Sequence, residues 1–202
     1  MNAKRHTPPA TRVDDRVLLD AAKDCVLAQG VRRTTLTDVA RRARVSRMTL
    51  YRRYPDVRSL LAALMTREFG DLLTRAAASV IEGPTARDRL VRGAVAGVRA
   101  ITADPLMRTV LDRDGALVLP YIVERLGSTQ KIAEAYLVSQ LTAGHADGSI
   151  RRADTAVQAR ALLLTVQSFV LSFGPATADV PADDLLTELT HLLDAVLRPE
   201  SP

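Results

Sequence analysis

The chain has 202 residues, with 28 Lys plus Arg, 23 Asp plus Glu, a net charge of +5 and 47% hydrophobic residues, a composition that supports a buried core and excludes an intrinsically disordered chain. Its single cysteine, Cys25, excludes an intramolecular disulfide and a cysteine-based zinc site. The charge is uneven: residues 1–60 hold 14 Lys/Arg and 6 Asp, net +8, whereas residues 61–202 hold 14 Lys/Arg and 17 Asp/Glu, net −3, so the N-terminal part favours an anionic partner.

Residues 1–11 read as a flexible basic arm, in which Lys4 and Arg5 stand beside Pro8-Pro9. It is either a disordered tail or an arm that tracks the backbone or minor groove of DNA. No apolar segment follows its two basic residues, so it is not a secretory signal, and a soluble cytoplasmic protein is expected. Helical spacing then dominates and period-two alternation is scarce. Asp14 or Asp15 opens a helix to Gln29, with Leu18, Ala22, Cys25 and Val26 on one face and Gly30 beyond its end. Thr35-Leu-Thr-Asp38 is a capping box for a second helix, whose inner face is Leu36, Val39, Ala40 and Ala43. After Arg44-Val45, Ser46 caps a third short helix through Arg53. Cys25, on the inner stripe, reads as a small core residue rather than a redox sensor.

Two short helices joined by a tight turn form a helix-turn-helix, whose second helix enters the DNA major groove with its N-terminal residues at base edges. Val45 and Leu50 are its apolar positions, which leaves Arg47, Met48, Thr49, Arg52 and Arg53 facing outward. Arg47 has the donors for a two-pronged contact with guanine, Thr49 suits a base or phosphate, and the Tyr51 hydroxyl suits a phosphate. Arg32, Arg33, Arg41, Arg42 and Arg44 surround this helix with cationic charge.

The stretch resembles the TetR (tetracycline repressor) family of bacterial transcriptional regulators. Ala21-Ala22, Gly30, Thr35, Val39-Ala40, Ala43-Arg-Val-Ser46, Thr49-Leu-Tyr51, Tyr54-Pro-Asp56 and Leu60 carry the resemblance, over roughly residues 12–61. It implies a homodimer whose paired recognition helices bind an operator and which a small molecule releases by entering the C-terminal domain. By position it implies Ser46 to Tyr51 as the recognition helix, Thr35 as a phosphate-contacting cap, and Leu50 and Tyr54 as packing residues. The expected DNA contacts are therefore Thr35, Arg44, Ser46, Arg47, Met48, Thr49, Tyr51, Arg52 and Arg53. Two positions depart from the family pattern: Arg44 stands where it favours Gly, and Val57 where it favours Lys at the start of the fourth helix. A left-handed conformation at Arg44 would cost about 1 kcal/mol.

The rest predicts further helices and an all-α fold with a helix-turn-helix domain at 12–58 and a larger effector-binding and dimerisation domain at 59–202. Asp56 caps a long helix to about Glu82, stopped by Gly83-Pro84. Thr85-Ala-Arg-Asp88 caps a helix to Ala103, and Asp104-Pro105 starts another. Residues 117–143 read as one or two helices with a break at Gly127-Ser128, and His145–Gly148 as a turn. Asp154 caps an apolar helix to Phe173, ended by Gly174-Pro175, and the last helix runs from Asp183 to Leu197. Residues 161–178 carry no charge and approach the roughly 20 residues needed to span a bilayer. Thr165, Gln167, Ser168 and Ser172 interrupt them, and a buried helix with no membrane partner is the better reading.

In the last helix Leu185, Leu186, Leu189, Leu192, Leu193, Val196 and Leu197 form a wide apolar stripe, and the preceding helix is apolar nearly all round. Two buried faces need two partners, so the last two helices are expected to form a homodimer interface through Leu163, Val166, Val170, Leu189, Leu193 and Val196. Candidate effector contacts are Gly97, Tyr121, Gln140 and Gln167. The small residues Gly93, Ala94, Ala96, Gly97 and Ala100 fit either a ligand space or close helix packing. No cofactor or metal is expected. Glu188-Leu-Thr-His191 has a di-iron ligand spacing but no second such motif. Asp112-Arg-Asp-Gly115 starts like a calcium loop but has Val123 at the twelfth position. An enzyme is therefore disfavoured. A helical DNA-binding or interaction protein without ligand control is the alternative to a ligand-released repressor.

Overall fold

The computed structural model describes residues 14–80, 83–123 and 126–200, with side chains except those of 116–123. The basic arm of residues 1–11 and the Tyr121 side chain therefore lie outside the described residues. Every described regular element is an α-helix. In chain order these are α1 (Asp15–Gln29), α2 (Leu36–Arg42), α3 (Arg47–Arg53), α4 (Val57–Ala78), α5 (Ala86–Ala103), α6 (Pro105–Val123), α7 (Ser128–Ala146), α8 (Thr155–Ala176) and α9 (Ala182–Leu197). The chain divides into two compact units, Met1–Leu64 and Met65–Pro202. The division falls inside α4, six residues beyond the expected boundary at 58, and Leu60 and Leu64 on the first unit's side of it are fully buried.

The first unit starts at Asp14, whose carboxylate accepts from the Arg16 amide at 3.0 Å. The expected face of α1 is the buried one, with Leu18, Ala22, Cys25 and Val26 inside; α2 packs on both α1 and α3, and its Leu36, Val39 and Ala40 are buried, as is Leu50 of α3. Full burial of a leucine such as Leu50 stabilises by about 1.5–3 kcal/mol. Burial also pushes the Cys25 thiol above its ordinary pKa, which keeps it protonated and unreactive. Gly30 adopts φ 83°, and Thr34, also buried, donates to the Gly30 carbonyl at 2.8 Å.

In the second unit α5 is central and packs on α6, α7, α8 and α9. Leu90, Val91, Ala94 and Val98 of α5 meet Leu137 and Leu141 of α7, Leu162 and Leu163 of α8, and Leu186, Leu189, Leu193 and Leu197 of α9. A smaller cluster joins Leu72, Ile101 and Met107, with Met65, Phe69, Ala100 and Val170 against it. Small residues on α5 serve close packing at Gly93, where a Cβ would lie 2.3 Å from the Tyr136 hydroxyl. The start of α5 is capped twice: Thr85 accepts from Asp88 at 3.2 Å, and Asp147, 61 residues away, accepts from the Ala86 amide at 2.9 Å.

Several boundaries differ from those expected. The long helix α4 ends at Ala78 rather than near Glu82. Residues 105–123 form two helical segments joined at a kink at Asp114, whose φ of −129° breaks the helical run. Helix α7 continues to Ala146, leaving the turn to Asp147 and Gly148, the latter at φ 73°. Helix α8 runs through Gly174-Pro175 to Ala176, because a proline in the last turn forfeits only one internal hydrogen bond and Thr177 closes the end on the Phe173 carbonyl at 3.0 Å. By length and composition α8 could cross a membrane, but it packs on α5 and α7 and buries Gln158, Ala159, Leu162 and Leu163 there.

Candidate nucleic-acid interface

The turn between α2 and α3 is set by the backbone. The Val45 amide reaches the Ala40 carbonyl at 3.0 Å and the Arg44 amide the Arg41 carbonyl at 3.2 Å, the paired bonds of a Schellman cap. This cap requires a left-handed residue, and Arg44 takes it with φ 56°. Ser46 then caps α3, accepting from the Thr49 amide at 3.1 Å, and its hydroxyl lies 2.8 Å from the Thr49 hydroxyl. Leu50 is fully buried and Tyr54 nearly so. These two anchors turn the remaining face of α3 outward: Arg47, Met48, Tyr51 and Arg52 are exposed, and Thr49 is half-buried.

Electrostatics sort the arginines into two sets. Arg41 pairs with Asp38 at 2.7 Å and Arg42 with Asp24 of α1 at 3.0 Å. Arg53 grips both carboxylate oxygens of Asp15, at 2.7 Å through Nε and closer still through a terminal nitrogen. This raises its pKa further above the usual guanidinium value. Arg33 bonds the Gln29 carbonyl at 2.8 Å. Among the described residues no hydrogen bond or ion pair engages the side chains of Arg44, Arg47 or Arg52. Of the cations expected to meet DNA, Arg53 is thus committed to α1, whereas Arg44, Arg47 and Arg52 are open. Thr35 caps α2, accepting from the Asp38 amide at 3.2 Å while donating its proton to the Asp38 carboxylate at 2.6 Å. That bond holds Asp38 below the usual carboxylate range. The aspartates Asp15 and Asp24 did not stand out in the sequence, since they lie 38 and 18 residues from their arginines.

The candidates in the second unit differ in burial and in their partners. Leu163, Leu189 and Leu193 are packed inside the chain's own core, so they cannot face a second copy. Val166 and Val170 are half-buried, and Val196 is 49% exposed. The leucine stripe of α9 divides: Leu186, Leu189, Leu193 and Leu197 point inward, while Leu192 is 55% exposed. On α8, Val157 and Leu164 are likewise exposed at 68% and 54%. Gln167 accepts from Gln130 at 2.7 Å, and Gln130 in turn accepts from the Gly127 amide at 2.7 Å. The Gln140 side-chain oxygen is buried with no hydrogen-bond partner among the described residues. Gly97 sits in ordinary contact with Leu73, its hypothetical Cβ 3.6 Å from that side chain. Glu188 and His191 are 3.7 Å apart and both largely exposed, and among the described residues no group of three or more His, Cys, Asp or Glu could hold a metal.

Comparison with known proteins agrees with this geometry. Residues 18–64 match the family model described as bacterial regulatory proteins, tetR family, a span that contains most of α1, all of α2 and α3, and the start of α4 with its buried Leu60 and Leu64. An uncharacterised HTH-type transcriptional regulator of Mycobacterium tuberculosis is 38% identical over 180 residues, covering 89% of this chain and 92% of its own. Among solved structures, the transcriptional repressor QsdR of R. erythropolis, from the TetR family, superposes with a TM-score of 0.67 at 18% identity over 96% of this chain and 100% of its own. FadR of Bacillus subtilis, a transcriptional regulator in complex with stearoyl-CoA, gives 0.66 at 18% identity over 92% and 100%. With a capped helix-turn-helix in its first unit and a 38% identical transcriptional regulator aligned over most of both chains, the chain belongs to the TetR family and is a DNA-binding transcriptional regulator, not an enzyme.

Proposed function

We propose that the protein is a cytoplasmic homodimeric repressor that binds a palindromic operator and leaves it when a small molecule enters the second unit. The observation that carries this reading is the sorting of arginines. Among the described residues Arg44, Arg47 and Arg52 have no ion pair, while Arg41, Arg42 and Arg53 are neutralised by aspartates. This reading assigns Arg47 to bases, and Arg44, Arg52 and the Tyr51 hydroxyl to phosphates. Dimerisation is assigned to Val157 and Leu164 of α8 with Leu192 and Val196 of α9, exposed apolar residues on two helices whose cover by a second copy removes them from water.

For the effector, Gln140 is the best supported polar contact, since a buried acceptor without a donor leaves a hydrogen bond to be supplied. Gln167 supports the reading less, because Gln130 already uses its oxygen. The test is fluorescence anisotropy of the purified protein on duplexes selected from a random library, against unselected competitor. A selected palindrome bound at least tenfold more tightly than competitor is expected, and equal affinity would overturn operator-specific binding. Stearoyl-CoA is the first effector probe, because the FadR neighbour holds it. Release of the selected duplex by it would identify an acyl-CoA effector, and an intact complex would reject that class.

A further inference from the structure

Met48 is out of place on a surface built for polyanions. It is the most exposed large hydrophobic residue described, at 76%. It occupies the second position of α3, next to Arg47 in sequence, and among the described residues Arg44, Arg47 and Arg52 have no ion pair. Packing does not explain it, because Leu50 and Tyr54 anchor the helix and Met48 adds nothing to that core. Capping does not explain it either, because Ser46 and Thr49 perform that role. A protein partner would have to bury the three open guanidinium groups together with one thioether, at a heavy desolvation cost. Duplex DNA accepts those groups on its phosphates and guanines.

Among the groups that the bases present in the major groove, the 5-methyl of thymine is the one apolar methyl. A flexible, polarizable methionine in the first turn of a recognition helix is suited to cover that methyl. We infer that Met48 is a specificity-determining residue that reads a thymine methyl in each operator half-site, next to the base contacted by Arg47. This inference rests on the operator-binding reading above. It predicts a thymine preference that no hydrogen-bonding side chain supplies, since the contact carries no donor or acceptor.

The experiment uses the full-length protein and the duplex it selects from a random library. Each thymine is replaced in turn by deoxyuridine, which removes the methyl and keeps every hydrogen-bonding group. At one thymine per half-site, binding is expected to weaken by about 4-fold for each half-site substituted, the ratio that burial of one methyl group gives. Met48→Ala is expected to bind the thymine and uracil duplexes with a ratio of about one, and Met48→Leu to keep the preference. Thermal unfolding of both variants establishes that they are folded at the assay temperature. If no duplex is selected over random DNA, the operator-binding reading fails. If a duplex is selected but no position senses the missing methyl, or Met48→Ala still senses it, Met48 does not read thymine and operator binding stands without it.

Discussion

Arg44 is a charged residue in a conformation that suits glycine, and its replacement separates a backbone cost from a DNA contact. At φ 56° its Cβ crowds the carbonyl, which costs an L-residue roughly 1–2 kcal/mol. Arg44→Gly removes that cost but gives the unfolded chain freedom worth about 0.4–1 kcal/mol. The net expectation is a stabilisation of about 0.5–1 kcal/mol, or about 1–4 °C in Tm for a chain of this size. Arg44→Ala keeps the left-handed strain and loses the charge, so it should lie within about 0.5 kcal/mol of the parent. Urea unfolding followed by circular dichroism measures both, read as a midpoint shift at constant slope. On DNA the two variants should behave alike, since both delete the same cation. The slope of log affinity against log salt should fall by about 0.9 per half-site. Arg44→Gly no more stable than Arg44→Ala would refute the strain assignment. Salt slopes equal to that of the parent would remove Arg44 from the DNA interface.

Four other outcomes follow from the same structure. Gly144→Ala places a Cβ 2.3 Å from the Ile150 side chain, which is 2% exposed, so it should lower stability by about 1–3 kcal/mol; an unchanged Tm would show that Ile150 moves freely. Leu192→Glu with Val196→Glu should give folded monomers in sedimentation, whereas Leu189→Ala, inside the protomer core, should instead destabilise by about 2–5 kcal/mol. A double variant that still sediments as a dimer would sink the α8–α9 interface. Asp15→Asn frees Arg53, so the salt slope of DNA binding should steepen by about 1 per half-site; a slope equal to the parent's would mean that Arg53 stays away from phosphate. Asp38, Asp56 and Asp147 are held below the usual carboxylate range, first by the Thr35 hydroxyl, the Ser59 amide and the Ser149 hydroxyl respectively. A lowered carboxyl pKa stabilises fully above the unfolded value of about 4 and is lost as pH falls through the folded value. Acid titration at fixed urea should therefore show stability declining only below about pH 4, and a decline beginning at neutral pH would point to other groups.

What was legible in the sequence was local. Asp14, Thr35, Ser46, Thr85 and Asp154 all cap helices, because a cap is decided by a side chain and an amide within three residues of it. The apolar spacing of α1 located its buried face correctly for the same reason. Contacts across the fold were not legible. The Arg53–Asp15 and Arg42–Asp24 pairs, the Gln130–Gln167 bond and the Asp147 cap on α5 join residues 18 to 61 apart, and periodicity does not report them. The α9 stripe shows the limit most clearly. Seven apolar positions covered a face too wide for one neighbour, and spacing alone did not divide Leu189 and Leu193, inside the protomer, from Leu192 and Val196, outside it.

The aspartates change what the N-terminal charge means. A surface ion pair contributes little to stability, so the Arg53–Asp15 and Arg42–Asp24 pairs are better understood as constraints on geometry. The first fastens the last turn of α3 to the first turn of α1, and the second fastens the last turn of α2 to the middle of α1. A two-pronged guanidinium–carboxylate contact also fixes orientation, which a lysine would not. With α2 and α3 each held to α1 at one end, and joined to each other by the Schellman cap, the direction of α3 is set before DNA arrives. Of the cations expected to meet DNA, Arg44, Arg47 and Arg52 have no ion pair among the described residues, and they flank the N-terminal cap or lie on the open face. Base reading requires side chains held in register with the groove, and phosphate attraction alone would not. The pairing of Arg41, Arg42 and Arg53 beside the open Arg44, Arg47 and Arg52 therefore supports the proposed reading, in which the protein discriminates among sequences rather than binding any duplex.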